Sequence, residues 1–347
     1  MKLGIKAENI LEWIAMKLNL APRPLLETQI AFTAARAIMA GADLGLFEAM
    51  GTTAKTAEEI AQACKTHPRS TTQLLDCLVG VGYLHFSNNR YSLKKHYQKW
   101  LLKSSDSNLV EKLRFQIMEW NWVAKLEEYV RSGQPLDIHA SASKAEWERY
   151  QEGMRDLSIN AAKELGGKLP IPAGATAMLD IGGSHGLYSI ELCKRYPGLS
   201  STILDLPGAI ESASAIAKRY DQTGRVKYVA GNALTDDLGT ARYDLVLINN
   251  LVHHFSAEQN QMLAGKVAQA LKPGGVYAIG DLIRAETPGE GGVVASTMGL
   301  YFSLTSSSGN WSSTEMSAWQ QSAGLIPVKS IALMSLPGWK MVMAKKA

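Results

Sequence analysis

The chain has 347 residues, of which 46% are hydrophobic and 20% charged, with a formal net charge of +4. This composition excludes a disordered chain, and with so small a charge nothing in the composition demands nucleic acid or an anionic membrane surface as a partner. Cys64, Cys77 and Cys193 are an odd, widely spaced set; they fit reduced core thiols in a cytoplasmic protein, not a disulfide framework or a zinc site.

The length allows two packed cores, and the periodicity divides accordingly. At the N-terminus, MKLGIKAENILEWIAMKLNLAP is interrupted by Lys2, Lys6, Glu8, Glu12 and Lys17. It therefore has no signal-type apolar centre and no membrane span, and it predicts an amphipathic helix ending before Pro22. Leu26 to Leu46 places apolar residues at helical spacing. Thr56-Ala-Glu-Glu59 is a capping box that opens the next helix, and Ser70 to Val81 forms another. YLHF and RYSL then alternate around Ser87-Asn88-Asn89, which predicts a hairpin. Helix, turn, helix and hairpin make a winged-helix unit. Its second helix, STTQLLDCLVGV, has no Lys or Arg and only Arg69 before it, so phosphate contacts would be few and a DNA-binding regulator is the weaker reading.

After a linker at 168–176 (KLPIPAGAT), AMLDI, STILDL, VKYVA, YDLVLIN and VYAIGDL alternate with helical segments. This is the pattern of an α/β, Rossmann-like doubly wound parallel sheet. In such a sheet a ligand binds beyond the carboxyl ends of the strands, and the first strand-to-helix turn is the usual place. Here that turn is Gly182-Gly183-Ser184-His185-Gly186. A dinucleotide fingerprint fails in this register, because Ser184 and Leu187 stand where its second and third glycines belong. Counted from the acid, Asp180-x-Gly182-x-x-x-Gly186 matches the motif of S-adenosylmethionine-dependent methyltransferases. Asp205 ends the second strand 19 residues past Gly186, where an acid can hold two ribose hydroxyls.

Gly231-Asn-Ala-Leu234, the run from Tyr243 to Phe255, and Leu271-Lys-Pro-Gly-Gly275 follow in that family's order. With the winged-helix part, the chain resembles the S-adenosylmethionine-dependent class I small-molecule O-methyltransferases of the plant caffeate and bacterial hydroxyneurosporene type, from about Pro22 onward. WVAKLEEYVRSGQP and Tyr150-Gln-Glu-Gly-Met154 add to the resemblance. It implies a winged-helix dimerisation domain over 1–105, connecting helices lining the substrate pocket over 106–170, and a cofactor-binding catalytic domain over 171–347. It also implies a homodimer with a small-molecule substrate, no nucleic acid, no membrane insertion and no metal.

The resemblance further implies S-adenosyl-L-methionine as cofactor, with Asp180 in the motif. Gly182, Gly183 and Gly186 would line its methionine and ribose portion, Asp205 and Leu206 would hold the ribose and the adenine edge, and Asn232 and Ala233 would flank the base. Asn249 would lie near the methionine end. His253 falls at the general base, with Asp281 at the position of the first of two orienting acids and Asn310 or a neighbour at the second's. Asn232 replaces the plant-type Asp, and an amide still hydrogen-bonds adenine.

A histidine with a near-neutral pKa suits deprotonation of a phenol or enol. His185, inside the turn, reads as packing. Met118, Trp122, Met154, His254, Met298 and Phe302 are the expected acceptor contacts, because soft and aromatic side chains grip flat rings. An enzyme of the same fold that methylates carbon or catalyses another reaction is the alternative.

Overall fold

The computed structural model describes residues 4–136, 138 and 142–347; Lys2, used above, lies outside them. Two compact units result, Met1–Met118 and Glu119–Ala347, and the division falls inside the segment expected to connect two domains.

In the first unit the N-terminal helix spans Ile10–Lys17, opened by Asn9, whose Oδ1 accepts the Glu12 amide at 3.0 Å. None of its residues is buried. The helix expected over 26–46 begins as a π-turn at Leu26–Ile30 and continues regularly over Ala31–Asp43. Both halves of the Thr56 capping box are present. The next helix, Pro68–Gly80, starts two residues before Ser70, because Pro68 presets the first helical φ. Strands β1 (Leu84–Ser87) and β2 (Arg90–Leu93) pair antiparallel around Asn88 and Asn89. Both asparagines take the positive φ that a two-residue hairpin turn needs. Leu46, Phe47, Ile60, Leu75, Leu78 and Leu84 make the core. Of the three cysteines only Cys193, in the other unit, is buried; Cys64 and Cys77 are half-buried against this core.

The second unit is built on strands β3 (Ala177–Ile181), β4 (Ser200–Asp205), β5 (Val226–Ala230), β6 (Tyr243–Asn249), β7 (Leu271–Leu282), β8 (Ile326–Ala332) and β9 (Trp339–Lys345). They lie in the order β5-β4-β3-β6-β7-β9-β8. The five strands from β5 to β7 are parallel, as expected; β9 and β8 are antiparallel additions that the sequence pattern did not announce. Alternation along β3, β6 and β7 sends Met178, Leu245, Leu247 and Ala278 to one face, and Leu179, Ile181, Val246, Ile248 and Ile279 to the other. Each fully buried aliphatic chain contributes about 1.5–3 kcal/mol, so both faces hold the strand ends in register.

Strand β9 also reaches the end of β6. The Trp339 ring is 1% exposed and packs so tightly on Gly280 of β7 that a Cβ there would collide with it. Trp339 Nε1–H donates to Asn250 Oδ1 at 3.1 Å, and the Asn250 amide donates to the Gly280 carbonyl at 2.8 Å. Asn250 is thereby held in the left-handed region, at φ 50°, where the chain turns from β6 toward His253.

Candidate active site

The turn after β3 carries positive φ at Gly182 (66°), Ser184 (50°) and Gly186 (74°), and Gly186 caps the helix Leu187–Arg195. A serine in the left-handed region costs energy unless its surroundings hold it. The Ser184 amide donates to Asp205 Oδ2 at 2.9 Å and its carbonyl accepts Tyr228 Oη–H at 2.8 Å, while its hydroxyl contacts Gln151 Oε1. Gly183 crosses directly over Asp180: a Cβ there would lie 2.6 Å from Asp180 Cγ and 3.0 Å from the Ile203 side chain.

Asp180 is 1% exposed; its Oδ2 accepts Ser189 Oγ–H at 2.6 Å, and its Oδ1 has no partner among the described residues. Burial pushes its carboxyl up to about 7, with a smaller push from Asp205, against the lowering effect of Ser189. His185 is buried; Leu187 N–H donates to its Nδ1 at 3.2 Å, so Nε2 carries the proton toward Ser158 Oγ, 3.0 Å away. Burial, helped by Arg155, lowers the His185 pKa to about 3. That ring is a neutral packing element.

Asp205, at the end of β4, also accepts the Leu206 amide through Oδ1 at 2.8 Å. Burial raises its pKa while these two backbone donors oppose the rise. Leu206 is half-exposed. Asn232 is exposed and its Oδ1 accepts the Leu234 amide at 3.0 Å, whereas Ala233 is buried in the core. Asn249 ends β6 with both amide atoms buried and unpartnered among the described residues. An unsatisfied buried polar group costs about 1–3 kcal/mol, and this amide, like Asp205, stands at the carboxyl end of its strand, where its donor and acceptor suit a polar ligand. A glycine-lined turn, an acid and an unpaired amide suit a molecule bearing hydroxyls together with amino and carboxyl groups.

His253 lies on the single 3-10 turn Val252–His254. Asn260 Nδ2 and Trp311 Nε1 both donate to the Val252 carbonyl, at 3.0 and 2.9 Å, and fix that turn. His253 Nδ1 is 2.9 Å from Asp281 Oδ2 and 3.1 Å from Oδ1, and both side chains are buried. Asp281 Oδ1 accepts the Leu282 amide as well, at 2.8 Å. With Asp281 as acceptor, Nδ1 carries the proton and Nε2 keeps its lone pair. The imidazole stacks on Phe302 at 4.1 Å and tilts against His254 at 4.2 Å, so the two histidine rings are neighbours. Asn310 Nδ2 donates to the Leu282 carbonyl at 3.0 Å, beside Asp281, and its buried Oδ1 has no partner among the described residues.

Of the expected acceptor contacts, Phe302 and His254 thus meet His253. Met298 lies on the same helix as Phe302, Gly292–Thr305, and Met154 on the helix Lys144–Lys168, both half-buried. Met118 ends the first unit, and Trp122 follows on the helix Val110–Val123. Sequence reasoning missed Ser189, Gln151, Tyr228, Glu119 and Tyr301. Gln151 and Tyr228 stood in segments that had drawn attention, but the hydrogen bonds Ser189–Asp180, Gln151–Ser184, Tyr228–Ser184 and Glu119–Tyr301 each span nine or more positions, so no local pattern announces them. Among the described residues no group of three or more His, Cys, Asp or Glu could hold a metal ion, and no helix is long and apolar enough to cross a membrane.

Residues 129–325 match the O-methyltransferase domain family, and residues 26–101 match the O-methyltransferase dimerisation domain. The 3-hydroxy-5-methyl-1-naphthoate 3-O-methyltransferase of Streptomyces sahachiroi is 27% identical over 88% of this chain and 90% of its own. The tetracenomycin polyketide synthesis 8-O-methyl transferase of Streptomyces glaucescens is 26% identical over 90% of this chain and 94% of its own. The fold is that of human N-acetylserotonin methyltransferase, solved in complex with SAM: TM-score 0.80, 16% identity, covering 99% of both chains. With the family match spanning more than half of its length, the chain belongs to the O-methyltransferase family.

Proposed function

We propose that the chain transfers a methyl group from S-adenosylmethionine to a hydroxyl of a small aromatic or polyketide-like metabolite, with His253 as general base and Asp281 as the residue that orients it. The observation that carries this reading is the buried His253–Asp281 pair, which fixes one tautomer and turns Nε2 into the proton acceptor. The relatives named for a hydroxynaphthoate and for tetracenomycin support a flat phenolic acceptor.

The cofactor would supply a methyl carbon bound to a sulfonium sulfur; an in-line oxygen nucleophile bonds to that carbon as the carbon–sulfur bond breaks, and S-adenosylhomocysteine leaves with the electron pair. Gly182, Gly183 and Gly186 let the backbone approach its methionine and ribose, with Asp180 holding the turn from beneath. Asp205 accepts from the ribose hydroxyls, Leu206 covers the adenine edge, Asn232 and Ala233 flank the base, and Asn249 meets the polar methionine end. His253 Nε2 removes the acceptor's hydroxyl proton, Phe302 and His254 bound the acceptor near the base, and Trp122, Met154 and Met298 together with Met118 supply apolar contact. The matched dimerisation domain supports a homodimer formed through the N-terminal unit, in a cytoplasmic enzyme that needs neither nucleic acid nor a bilayer. The test is S-adenosylhomocysteine formation with a panel of naphthols and hydroxyanthraquinones, compared between wild type and His253→Ala. Equal turnover by the two would remove the base from the reaction.

A further inference from the structure

The chain leaves β6 through Asn250, an exposed residue that nevertheless sits at φ 50°. A side chain in the left-handed region of an exposed turn relaxes unless something holds it. Here the hold comes from β7 and β9. The Asn250 amide donates to the Gly280 carbonyl at 2.8 Å, and its Oδ1 accepts the indole N–H of Trp339 at 3.1 Å. That indole is 1% exposed and lies over Gly280, where a Cβ would come within 2.1 Å of the Trp339 Cζ2 and 2.5 Å of Asn249 Oδ1. A plain aromatic ring would fill this space; only an indole also reaches Asn250 with a donor.

One side chain of the last strand therefore fastens the two segments that carry the base and its partner. On β7 it abuts the residue before Asp281, and Trp339 pairs in register with Leu282, whose amide donates to Asp281 Oδ1. On the exit from β6 it holds the third residue before His253. Between them, Leu251 lies against Gly182 of the glycine-rich turn, and its carbonyl accepts the His254 amide at 2.9 Å.

We infer that Trp339 is a positioning residue for the base. Acting through Asn250 and Gly280, its indole sets the approach of His253 Nδ1 to Asp281, and with it the tautomer that leaves Nε2 able to take a proton. The inference rests on the methyltransferase reading for the use made of that proton. The contact to be fixed is 2.9 Å long between two buried groups, and such a bond weakens steeply as its angle drifts. A misplacement of about 1 Å at a reacting centre can cost on the order of a hundredfold in rate.

The test compares wild type with three variants of the full-length protein. Trp339→Phe keeps a ring over Gly280 and loses the donor, Asn250→Gly tolerates the positive φ and loses the acceptor, and Asn250→Asp keeps an oxygen for the indole. Single-turnover rates with saturating S-adenosylmethionine are measured on an un-ionised naphthol and on a nitronaphthol already ionised at neutral pH. Trp339→Phe and Asn250→Gly should slow the first on the order of tenfold or more and leave the second, which needs no base, within about twofold. Asn250→Asp should stay within about threefold of wild type on both. Nitrogen NMR of isotope-labelled histidine, with His253 assigned by its loss in His253→Ala, should show one tautomer in wild type and a mixture in the two slowed variants. Should Trp339→Phe unfold, the exposed Asn250→Gly carries the comparison. Equal slowing of both naphthols, a wild-type rate in Asn250→Gly, an equal loss in Asn250→Asp, or an unmoved histidine signal would overturn the inference. If wild type forms no S-adenosylhomocysteine from any phenol, the methyltransferase reading fails, and the histidine signal alone upholds or overturns the role of Trp339.

Discussion

Asp205 holds Ser184: the carboxylate that ends the second strand of the catalytic unit accepts, at 2.9 Å, the amide of a serine strained into the left-handed region one strand away. The same side chain accepts the Leu206 amide, so it shapes the turn as well as facing the proposed ribose position. Asp205→Ala is expected to weaken S-adenosylhomocysteine binding about tenfold to a hundredfold, and to lower stability by about 1–3 kcal/mol through the freed amides. Asp205→Asn keeps one carbonyl acceptor and should fall between the two. Calorimetric titration and denaturant unfolding of the three proteins check the order.

The base pair predicts what each substitution costs. Deprotonating an un-ionised phenol needs a nitrogen with a free lone pair, which the Asp281 contact leaves at His253 Nε2. His253→Ala should cost on the order of 10²–10⁴ in single-turnover rate with cofactor affinity nearly unchanged. Asp281→Asn offers an amide that can donate to Nδ1 and move the ring proton to Nε2, which silences the base without removing it. His254→Ala should be milder than either. Single-turnover rates of wild type and the three variants on one phenol separate these outcomes. A phenol already ionised at neutral pH should shrink the cost of His253→Ala.

Asp180 makes stability depend on pH. Its carboxyl is held up to about 7 by burial, against about 3.9 in an unfolded chain. The folded state thus binds the proton more tightly. The contribution is fully present below about pH 4 and is lost as pH rises through about 7, by up to about 4 kcal/mol. Asp180→Asn should remove this slope. Unfolding midpoints at pH 5 and pH 8 give the comparison: wild type should lose more stability between them than the asparagine variant.

The first helix predicts an interface. Ile10, Leu11, Trp13, Ile14 and Leu18 are each between 41% and 74% exposed on a segment with no buried residue, a patch that a protein rarely leaves in water. Full-length protein is expected to scatter light as a dimer. Leu11→Asp together with Trp13→Ser should shift it toward monomer while the Thr56-capped helix and its core stay folded, as far-UV circular dichroism would report.

Much of this was legible in the sequence because the signals were local. The Thr56 capping box, the paired asparagines of the hairpin, and the alternation in β3 and β6 each name their own structure within a few residues. The five parallel strands and the turn between Asp180 and Leu187 followed from the same kind of signal. Strands β8 and β9 were missed because they follow no repeating strand-helix unit: β8 is almost wholly exposed and β9 takes its place only by pairing with β7. The reason for glycine at 183 was also hidden. The space above it is denied to a Cβ by the chain's own Asp180 and Ile203, so Gly183→Val would distort the turn before it could obstruct a ligand. The Glu119–Tyr301 contact joins residues 182 positions apart, and no local pattern encodes it.

The link from Trp339 to Gly280 and Asn250 gives the order of synthesis a role. A nascent chain that has emerged only through β7 already contains every residue of the His253–Asp281 pair and of the glycine-rich turn. It still lacks the indole that packs on Gly280 and the donor that engages Asn250. The turn leading to His253 therefore gains its last fixed contact only when the final strand arrives, and a ribosomal product that stops before Trp339 has the reactive groups without the clasp that aligns them.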